Sequence, residues 1–485
     1  MATPTGPARP RPTKIGFFRN VAQPLSVSGP SSGTAVLPAV MVAVTGTAGA
    51  TSFLLGVLAG GLVVYIFASL AKHFSSAGAA YYYAGVLSGM RVAVVVGWTY
   101  LLTYLGFAAC VLSNEANYFG VAMGYVSGPE IPWVLVAVAL WVLCVYVVAR
   151  GIEFSTRFQV ALEVLGVLSL VLIGVTVLVK GGYGGSNLSL AAFSLDGVTP
   201  GKLFLGMALA LGTFGGFESG ASLSEETDSP GRTVPAGMWT TLLLSGGLYV
   251  FASWFINVGF PDLDTLAASP APLFELAEQH FGSTVAFVMT VVVLLAGLST
   301  ITAASNGAVR TLFAMRRDAA RSGGGSLSEP ERIPVRLVAL CAVPILVLSA
   351  GFFWTEAYMA FQYVATAAAL LITAIYLCIS LLSVRWFARL GSPAKAGVGV
   401  LACAVLGYSL YSSVASQTDP VFRALAFVDL GLVLLAVVFV LVAKPVVRRM
   451  DASVHWEAGR EIRDRLLAAD AAPPAAVGQE VGGGR

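Results

Sequence analysis

The sequence predicts an all-α integral membrane protein of twelve transmembrane helices. It reads as two five-helix halves of inverted topology, an interrupted helix opening each half, and two helices appended at the end. Three observations carry this reading: a composition too apolar for water, twelve apolar runs of spanning length, and a one-sided distribution of positive charge. Of 485 residues, 57% are hydrophobic and only 11% are charged, whereas soluble domains carry about 25% charged residues. Such a chain cannot cover itself with polar surface, and its expected environment is the lipid bilayer.

The same composition excludes several function classes. A net charge of +3, scattered along the chain, offers no footprint for nucleic acid. The five cysteines, Cys110, Cys144, Cys341, Cys378 and Cys403, lie in or beside apolar runs with neither metal-site spacing nor a disulfide framework. His73, His280 and His455 fall at a segment end, in a connection and in the tail. No histidine is left inside the membrane for metal binding or base catalysis, so neither a metal nor another cofactor is expected.

A spanning helix takes about 20 mostly apolar residues. The runs that meet this are 22–46, 51–71, 93–123, 131–149, 158–179, 201–223, 236–259, 283–308, 335–353, 357–384, 397–414 and 424–443. The third is long enough to be strongly tilted, and a Gly/Thr-rich turn, Thr45–Thr51, separates the first two. Residues 1–20 form a Pro-rich basic tail without a convincing cleavage site, so the first helix is the expected insertion signal. The division that follows is 1–20 tail, 21–180 first half, 201–386 second half, 395–443 appended helices and 444–485 tail.

Positive charge orients the chain. With the N-terminus inside, 25 of the 28 Lys and Arg residues fall in the tails and the even-numbered connections or within two residues of them, and only Lys180, Lys202 and Arg423 fall outside. Both termini are therefore expected in the cytoplasm, with the protein in the cell membrane. The connection after the seventh span carries Asp262, Asp264, Glu275 and Glu278 without a Lys or Arg, which suits the outer face. Asp451–Asp470 reads as a surface helix, and Ala471–Arg485 as disordered from its Pro/Ala/Gly content.

Two of the runs are interrupted. The first contains Ser28-Gly29-Pro30-Ser31-Ser32-Gly33, and the sixth contains Gly212-Thr213-Phe214-Gly215-Gly216-Phe217-Glu218-Ser219-Gly220. Proline removes a donor and glycine weakens helical preference, so both clusters are expected to unwind. Unwound backbone at membrane depth is tolerated only where it lines an enclosed cavity. Interruptions at matching positions of two halves mark the binding site of a transporter. Free N–H groups at the start of a half-helix favour a carboxylate, and free carbonyls at the end of the other favour an ammonium or a cation. A zwitterionic amino acid presents both charges. The plainer reading is that glycines let helices approach, as expected for Gly56-x-x-x-Gly60 in the second run.

Ionisable residues inside apolar runs are functional hypotheses by default. Glu218 lies in the sixth-run interruption, as a coupling group or as an acceptor that ties down freed N–H groups. Glu163, in the fifth run, is a candidate proton-coupling group or an inter-helix hydrogen bonder. Glu115, in the third, reads as structural, and Asp429, in the twelfth, as a contact to a neighbouring helix or a second protomer.

The stretch from Phe214 to Pro235, Phe-Gly-Gly-Phe-Glu followed by Glu225-Glu226-Thr227-x-x-Pro230-x-Arg232-x-Val234-Pro235, resembles the sixth-helix signature of the amino acid–polyamine–organocation superfamily. Ser76-Ala-Gly-Ala-Ala-Tyr-Tyr-Tyr83 and Asn306-Gly-Ala-Val-Arg-Thr-Leu-Phe-Ala-Met-Arg-Arg-Asp318 are similar to two further elements of that family. The resemblance runs from about Val21 to Val442. It implies the five-plus-five inverted-repeat fold, with a small substrate held between the first, third, sixth, eighth and tenth helices. By resemblance, Ser28, Gly29, Pro30, Ser31, Ser32 and Gly33 bind the substrate's carboxylate and amino groups through backbone. The resemblance makes Phe214 a candidate wall or gate; the aromatics Tyr104, Phe214 and Phe217, beside Gly215 and Gly216, read either as shaping an apolar or cation-binding pocket or as packing. Glu218 would couple occupancy to the inner half of the sixth helix.

Two departures stand out. The first-helix interruption is Gly-Pro-Ser-Ser-Gly in place of the G-x-G of many members, and Ala319-Ala-Arg-Ser-Gly-Gly-Gly replaces the usual Gly-Leu-x-Pro. Where some proton-coupled relatives carry a lysine in the fifth helix, 157–179 has none. Ser299, Thr300 and Thr302 of the eighth run offer hydroxyls that could join first-helix carbonyls around sodium, so proton and sodium coupling both stay open, with the family favouring the proton. Gly29-Pro30-Ser31-Ser32-Gly33 also matches G-x-S-x-G. That motif needs a strand–turn–helix elbow and a base partner, and neither is expected here, which excludes a hydrolase. The expected activity is secondary transport of amino acids by alternating access. Amine or polyamine transport by the same fold, or a non-transporting sensor, are the alternatives.

Overall fold

A computed structural model describes residues 16–76, 78–149, 152–186, 188–320, 334–417, 419–452 and 454–471, and these fold into helices without a strand. The first fifteen residues, Ala77, the loop 321–333 and the segment 472–485 lie outside the described residues. So the expectations for most of the N-terminal tail, the loop after Ala320 and the disordered end are not addressed.

In chain order the helices are α1 Phe17–Ser28, α2 Pro30–Thr34, α3 Leu37–Thr45, α4 Gly49–Ala71, α5 Ala80–Ser88, α6 Met90–Tyr125, α7 Trp133–Ala149, α8 Ile152–Val179 and α9 Pro200–Phe214. A 3-10 helix, Phe217–Glu226, continues α9. Then follow α10 Pro230–Gly259, α11 Leu263–Ala268, α12 Pro272–Phe281, α13 Ser283–Ala320, α14 Val335–Ala350 and α15 Ala357–Arg389. The chain ends with α16 Pro393–Ala415, α17 Pro420–Val442, α18 Lys444–Asp451 and α19 Val454–Ala471.

Among the described residues, nine helical segments are long and apolar enough to cross a membrane, and α7 and α14 are shorter apolar helices of 17 and 16 residues. At 1.5 Å per residue these two reach about 24–26 Å, the lower limit for a hydrocarbon core. Large apolar side chains stand exposed along α8 (Val164, Leu165, Leu168, Leu172) and along α17 (Phe427, Leu430, Leu434, Leu441). In water they would form an extensive apolar patch; against lipid tails they need no cover.

The interior is organised by two long helices. α6 and α13 pack along one another, α15 lies against α6, and α8 against α13, while α4 pairs with α10 and α9. Interior positions favour small residues where backbones approach: a Cβ on Gly56 would lie 2.6 Å from Ala210 Cβ, and one on Gly60 2.9 Å from Leu242 Cδ1. Gly56-x-x-x-Gly60 thus serves helix packing.

Several boundaries differ from the sequence reading. α13 continues twelve residues beyond position 308 because its polar end, Arg310, Arg317 and Asp318, is held by ion pairs and hydrogen bonds to other elements. Helix α5 forms from the Tyr81-Tyr82-Tyr83 stretch, whose rings are buried, and α11 and α12 form within the acidic connection. The tail helix, read as a surface element over Asp451–Asp470, corresponds to α19, and a separate short helix, α18, precedes it. It is docked: Trp456 is 2% exposed, packed against Tyr81 and Tyr82, with its indole N–H donating to Asp318 Oδ2 at 2.8 Å.

Candidate functional site

The two interruptions form, though not as fully unwound stretches. In the first, the chain turns at Gly29, with φ 45° and ψ 53°, a left-handed conformation that costs a residue with a Cβ but not glycine. Pro30–Thr34 then makes one further helical turn, since proline suits a first helical position, and a second break follows at Val36. In the second, α9 stops at Phe214, Gly215 is extended, and Gly216 has φ 102°. The interruption is therefore Gly215–Gly216, narrower than the Gly212–Gly220 expected, and the continuation is 3-10 helix rather than α. The two breaks touch: a Cβ on Gly216 would lie 2.2 Å from Val27 Cγ1.

Backbone groups freed at the first break are met by side chains from three helices. Tyr249 of α10 donates to the carbonyls of Ser28 (3.1 Å) and Gly29 (3.4 Å), and Tyr118 of α6 donates to that of Ser32 (2.8 Å). Glu163 of α8 accepts from the Ser31 N–H at 3.0 Å and the Ser31 hydroxyl at 2.9 Å, and its other oxygen accepts from Ser299 at 3.3 Å. Glu115 of α6 accepts from the Ser32 hydroxyl at 2.5 Å. Two buried carboxylates thus grip the single turn of α2. Each loses hydration on burial, and charge-assisted hydrogen bonds offset part of that cost.

Glu218 serves the second break. Its Oε1 accepts from Tyr104 (3.0 Å) and Tyr100 (3.2 Å), and its Oε2 from Tyr376 (2.6 Å) and the freed Gly216 N–H (3.1 Å). One carboxylate so joins the 3-10 continuation of α9 to α6 and α15. Its accepting capacity is taken up by these four donors.

A cavity runs from the two breaks toward the end of the bundle opposite the one that carries residue 17 and α19. It is lined by Ser28, Gly29, Ser32 and Gly33 from the first break and by Gly212, Thr213 and Gly215 from the second. Of the residues expected from sequence, Pro30, Ser31, Tyr104, Phe214, Gly216, Phe217, Glu163, Glu218, Ser299 and Thr302 stand outside that lining. Phe214 is buried against Phe53 and Tyr249, Phe217 stacks on Tyr376, and Thr302 donates to the Ser299 carbonyl at 2.9 Å. The carboxylates and aromatics brace the breaks from behind.

Other lining residues were not singled out for the site: Asn114 and Phe107 of α6, Tyr249 of α10, and Gln362 and Thr366 of α15. Thr300, named only among hydroxyls for sodium, lines it too. Asn114 Oδ1 and Thr300 Oγ1 are buried without a protein partner. Polar residues in the middle of apolar runs were a usable signal for Asn114 and Tyr249.

At the end that carries residue 17 and α19, called the terminal end here, polar contacts join segments far apart in the chain. Asn20 Nδ2 donates to the Gly220 carbonyl (3.0 Å) and to Thr227 Oγ1 (3.1 Å), and Gln23 Nε2 donates to the Ala303 carbonyl (2.9 Å). Arg310 pairs with Glu226 at 3.0 Å and Arg317 with Glu225 at 3.2 Å. Among the described residues, no group of three or more His, Cys, Asp or Glu could hold a metal ion, and the five cysteines are free thiols.

Comparison with known proteins places this architecture. The chain is 29% identical over 259 residues to the low-affinity putrescine importer PlaP of Escherichia coli K12, covering 52% of this chain and 55% of that protein. It is 29% identical over 323 residues to the vacuolar cationic amino acid transporter 2 of Arabidopsis thaliana, 61% of this chain and 49% of that one. It is 24% identical over 329 residues to the branched-chain amino acid permease BcaP of Lactococcus lactis, 62% and 68%. The matched regions span about half the length of the first two relatives. All three are named as transporters rather than enzymes. The amino acid permease family model matches residues 22–442, nearly the whole chain, and the protein therefore belongs to that family, a branch of the amino acid–polyamine–organocation superfamily.

Proposed function

We propose that the protein is a secondary active transporter that moves amino acids across the cytoplasmic membrane by alternating access. The single observation that carries this is that residues from both helix breaks, Ser28, Gly29, Ser32 and Gly33 with Gly212, Thr213 and Gly215, line one cavity. Two polar interruptions meeting at membrane depth are the construction by which transporters hold a small charged solute. In this reading twelve helices span the bilayer, 21–180 and 201–386 are inverted halves, and 395–443 are appended. Both tails, 1–20 and 444–485, face the cytoplasm, so the cavity opens outward while the terminal end is shut.

The substrate's ammonium is taken by carbonyls at the end of α1 and by Asn114 Oδ1, and its carboxylate by the Thr300 hydroxyl. Occupancy draws the two breaks together, and Glu218 passes that movement to α6 and α15 through its tyrosines. Coupling is assigned to the proton through Glu163. A proton on this carboxylate removes an acceptor from Ser31 and Ser299 and so loosens α2 against α8 and α13. A sodium reading is favoured by one observation, the partnerless Thr300 Oγ1 beside Gly29, where a Cβ would lie 2.5 Å from it.

The test is uptake of labelled amino acids, amines and polyamines by purified protein in liposomes, with imposed proton or sodium gradients. Accumulation stimulated by a pH gradient is expected, and Glu163→Gln should abolish the stimulation while leaving substrate exchange. Stimulation by sodium alone would transfer the coupling to the Thr300 region. A ligand that binds without being taken up or exchanged would identify a sensor instead.

A further inference from the structure

Among the described residues that line the cavity, none is Asp, Glu, Lys, Arg or His. The carboxylates nearest to it are turned into protein: Glu163 into Ser31 and Ser299, Glu115 into Ser32, and Glu218 into three tyrosines and a backbone N–H. What remains has two unlike faces. One is polar, formed by the break at Gly29 with Asn114 and Thr300. The other is apolar, formed by Phe107 and Val111 of α6, Leu209 of α9, and Phe361, Ala365 and Ala369 of α15. Phe361, Ala365 and Ala369 recur every fourth residue, so they present one continuous face of their helix.

We propose that this cavity selects neutral amino acids with apolar side chains and rejects lysine, arginine, putrescine and other substrates with a second cationic group. The inference rests on the transporter reading and narrows it, since the relatives include proteins named for putrescine, cationic amino acids and branched-chain amino acids. The polar face has neutral acceptors and donors for one ammonium and one carboxylate. A second ammonium would lie against Phe107, Val111 or Ala365 with no carboxylate to pair with. Burying an unpaired charge is among the costliest events in an apolar site, on the order of a hundredfold or more in affinity. An apolar side chain gains there instead, by about fourfold per buried methylene. Leucine should therefore exceed alanine by tens-fold on this wall. The position most exposed to the choice is Val111, one turn from Asn114 on the same face of α6.

The experiment is competition against labelled leucine in liposomes containing the full chain, with valine, isoleucine, methionine, phenylalanine, alanine, glutamate, lysine, arginine and putrescine as competitors. The expected result is strong competition by valine, isoleucine, methionine and phenylalanine, weak competition by alanine, and none by lysine, arginine or putrescine at a hundredfold excess. In parallel, Val111→Asp, which places a carboxylate on the apolar face at nearly constant volume, should lower leucine uptake at least tenfold and make lysine a competitor. Transport of lysine or putrescine in preference to leucine by the unaltered protein would overturn the proposal while leaving the transporter reading intact. Binding or uptake of no amino acid at all, with a folded protein shown by thermal unfolding, would overturn both.

Discussion

The two ends of the helix bundle are built on different principles. At the terminal end, residues far apart in sequence are tied by specific polar contacts: Asn20 to Gly220 and Thr227, Gln23 to Ala303, Arg310 to Glu226, and Arg317 to Glu225. Tyr81 and Trp456 meet on one carboxylate oxygen of Asp318. At the opposite end the cavity is bordered by Leu37, Val40, Met41, Val44 and Leu205, with Gln417 from the connection before α17 and Phe422 from the first turn of α17. Two hydrogen bonds there, Thr47 to the Asp196 carbonyl and Asn117 to the Pro270 carbonyl, are exposed. The lesson is that polar partners with defined geometry tie distant segments at the terminal end, whereas apolar side chains border the cavity at the other. The proposed alternating-access cycle would need contacts that are strong when made and complete when broken, and ion pairs with directional hydrogen bonds meet that need.

The largest expected effect comes from separating the two breaks. Gly216→Val would place a Cβ 2.2 Å from Val27 Cγ1 at a residue with φ 102°. Backbone strain and overpacking together should cost about 3 kcal/mol or more and abolish uptake. Thermal unfolding in detergent beside liposome uptake checks this; a variant with normal Tm and transport would refute the claim that the breaks meet.

Next comes the docked tail. Trp456 fits over Gly85, where a Cβ would lie 2.1 Å from its ring. Trp456→Ala should lose about 3 kcal/mol of local contact energy, releasing α19 rather than unfolding the bundle. Limited proteolysis near residue 452 should speed up markedly while the unfolding of the bundle stays put.

The smallest pair sharpens the comparison directly. Arg310→Gln at the terminal end should destabilise by about 2 kcal/mol, because Glu226 and the Ser222 carbonyl lose a charged donor. Thr47→Ala at the opposite end should change stability by less than about 0.5 kcal/mol. Equal effects would show that the ends are not built differently. A thiol probe near Gly220 should also become more accessible from the terminal side in the Arg310 variant alone.

Legibility from sequence followed the range of the interaction. Apolar runs and the Gly/Pro clusters are local, so the long helices and both interruptions could be located, and the Phe214–Pro235 stretch identified the family before any geometry was known. The extents were less accurate. Pro30–Thr34 is helical because proline is favourable at a helix start, a detail hidden when Gly and Pro are counted together as breakers. The part of α13 beyond position 308 was missed because its polarity reads as loop until Glu225, Glu226 and Trp456 are brought beside it. Of the site, the glycines and serines of the first break were legible. The division between residues that line the cavity and residues that brace it was not, since Glu163 and Glu218 look alike in sequence to a binding carboxylate.

By itself the sequence determined that the chain belongs in a membrane, where its helices interrupt, and which family it joins. Composition, run length and glycine placement act within a few residues of chain, and these properties follow from them. Tertiary structure alone decided that Tyr249 and Tyr118 cap the freed carbonyls, that Glu115, Glu163 and Glu218 stay out of the cavity lining, and that polar contacts tie distant segments at the terminal end while apolar side chains border the cavity at the other. Those outcomes depend on partners such as Ser31 and Glu163, 132 residues apart. Only the packing of whole helices brings such groups within hydrogen-bonding distance.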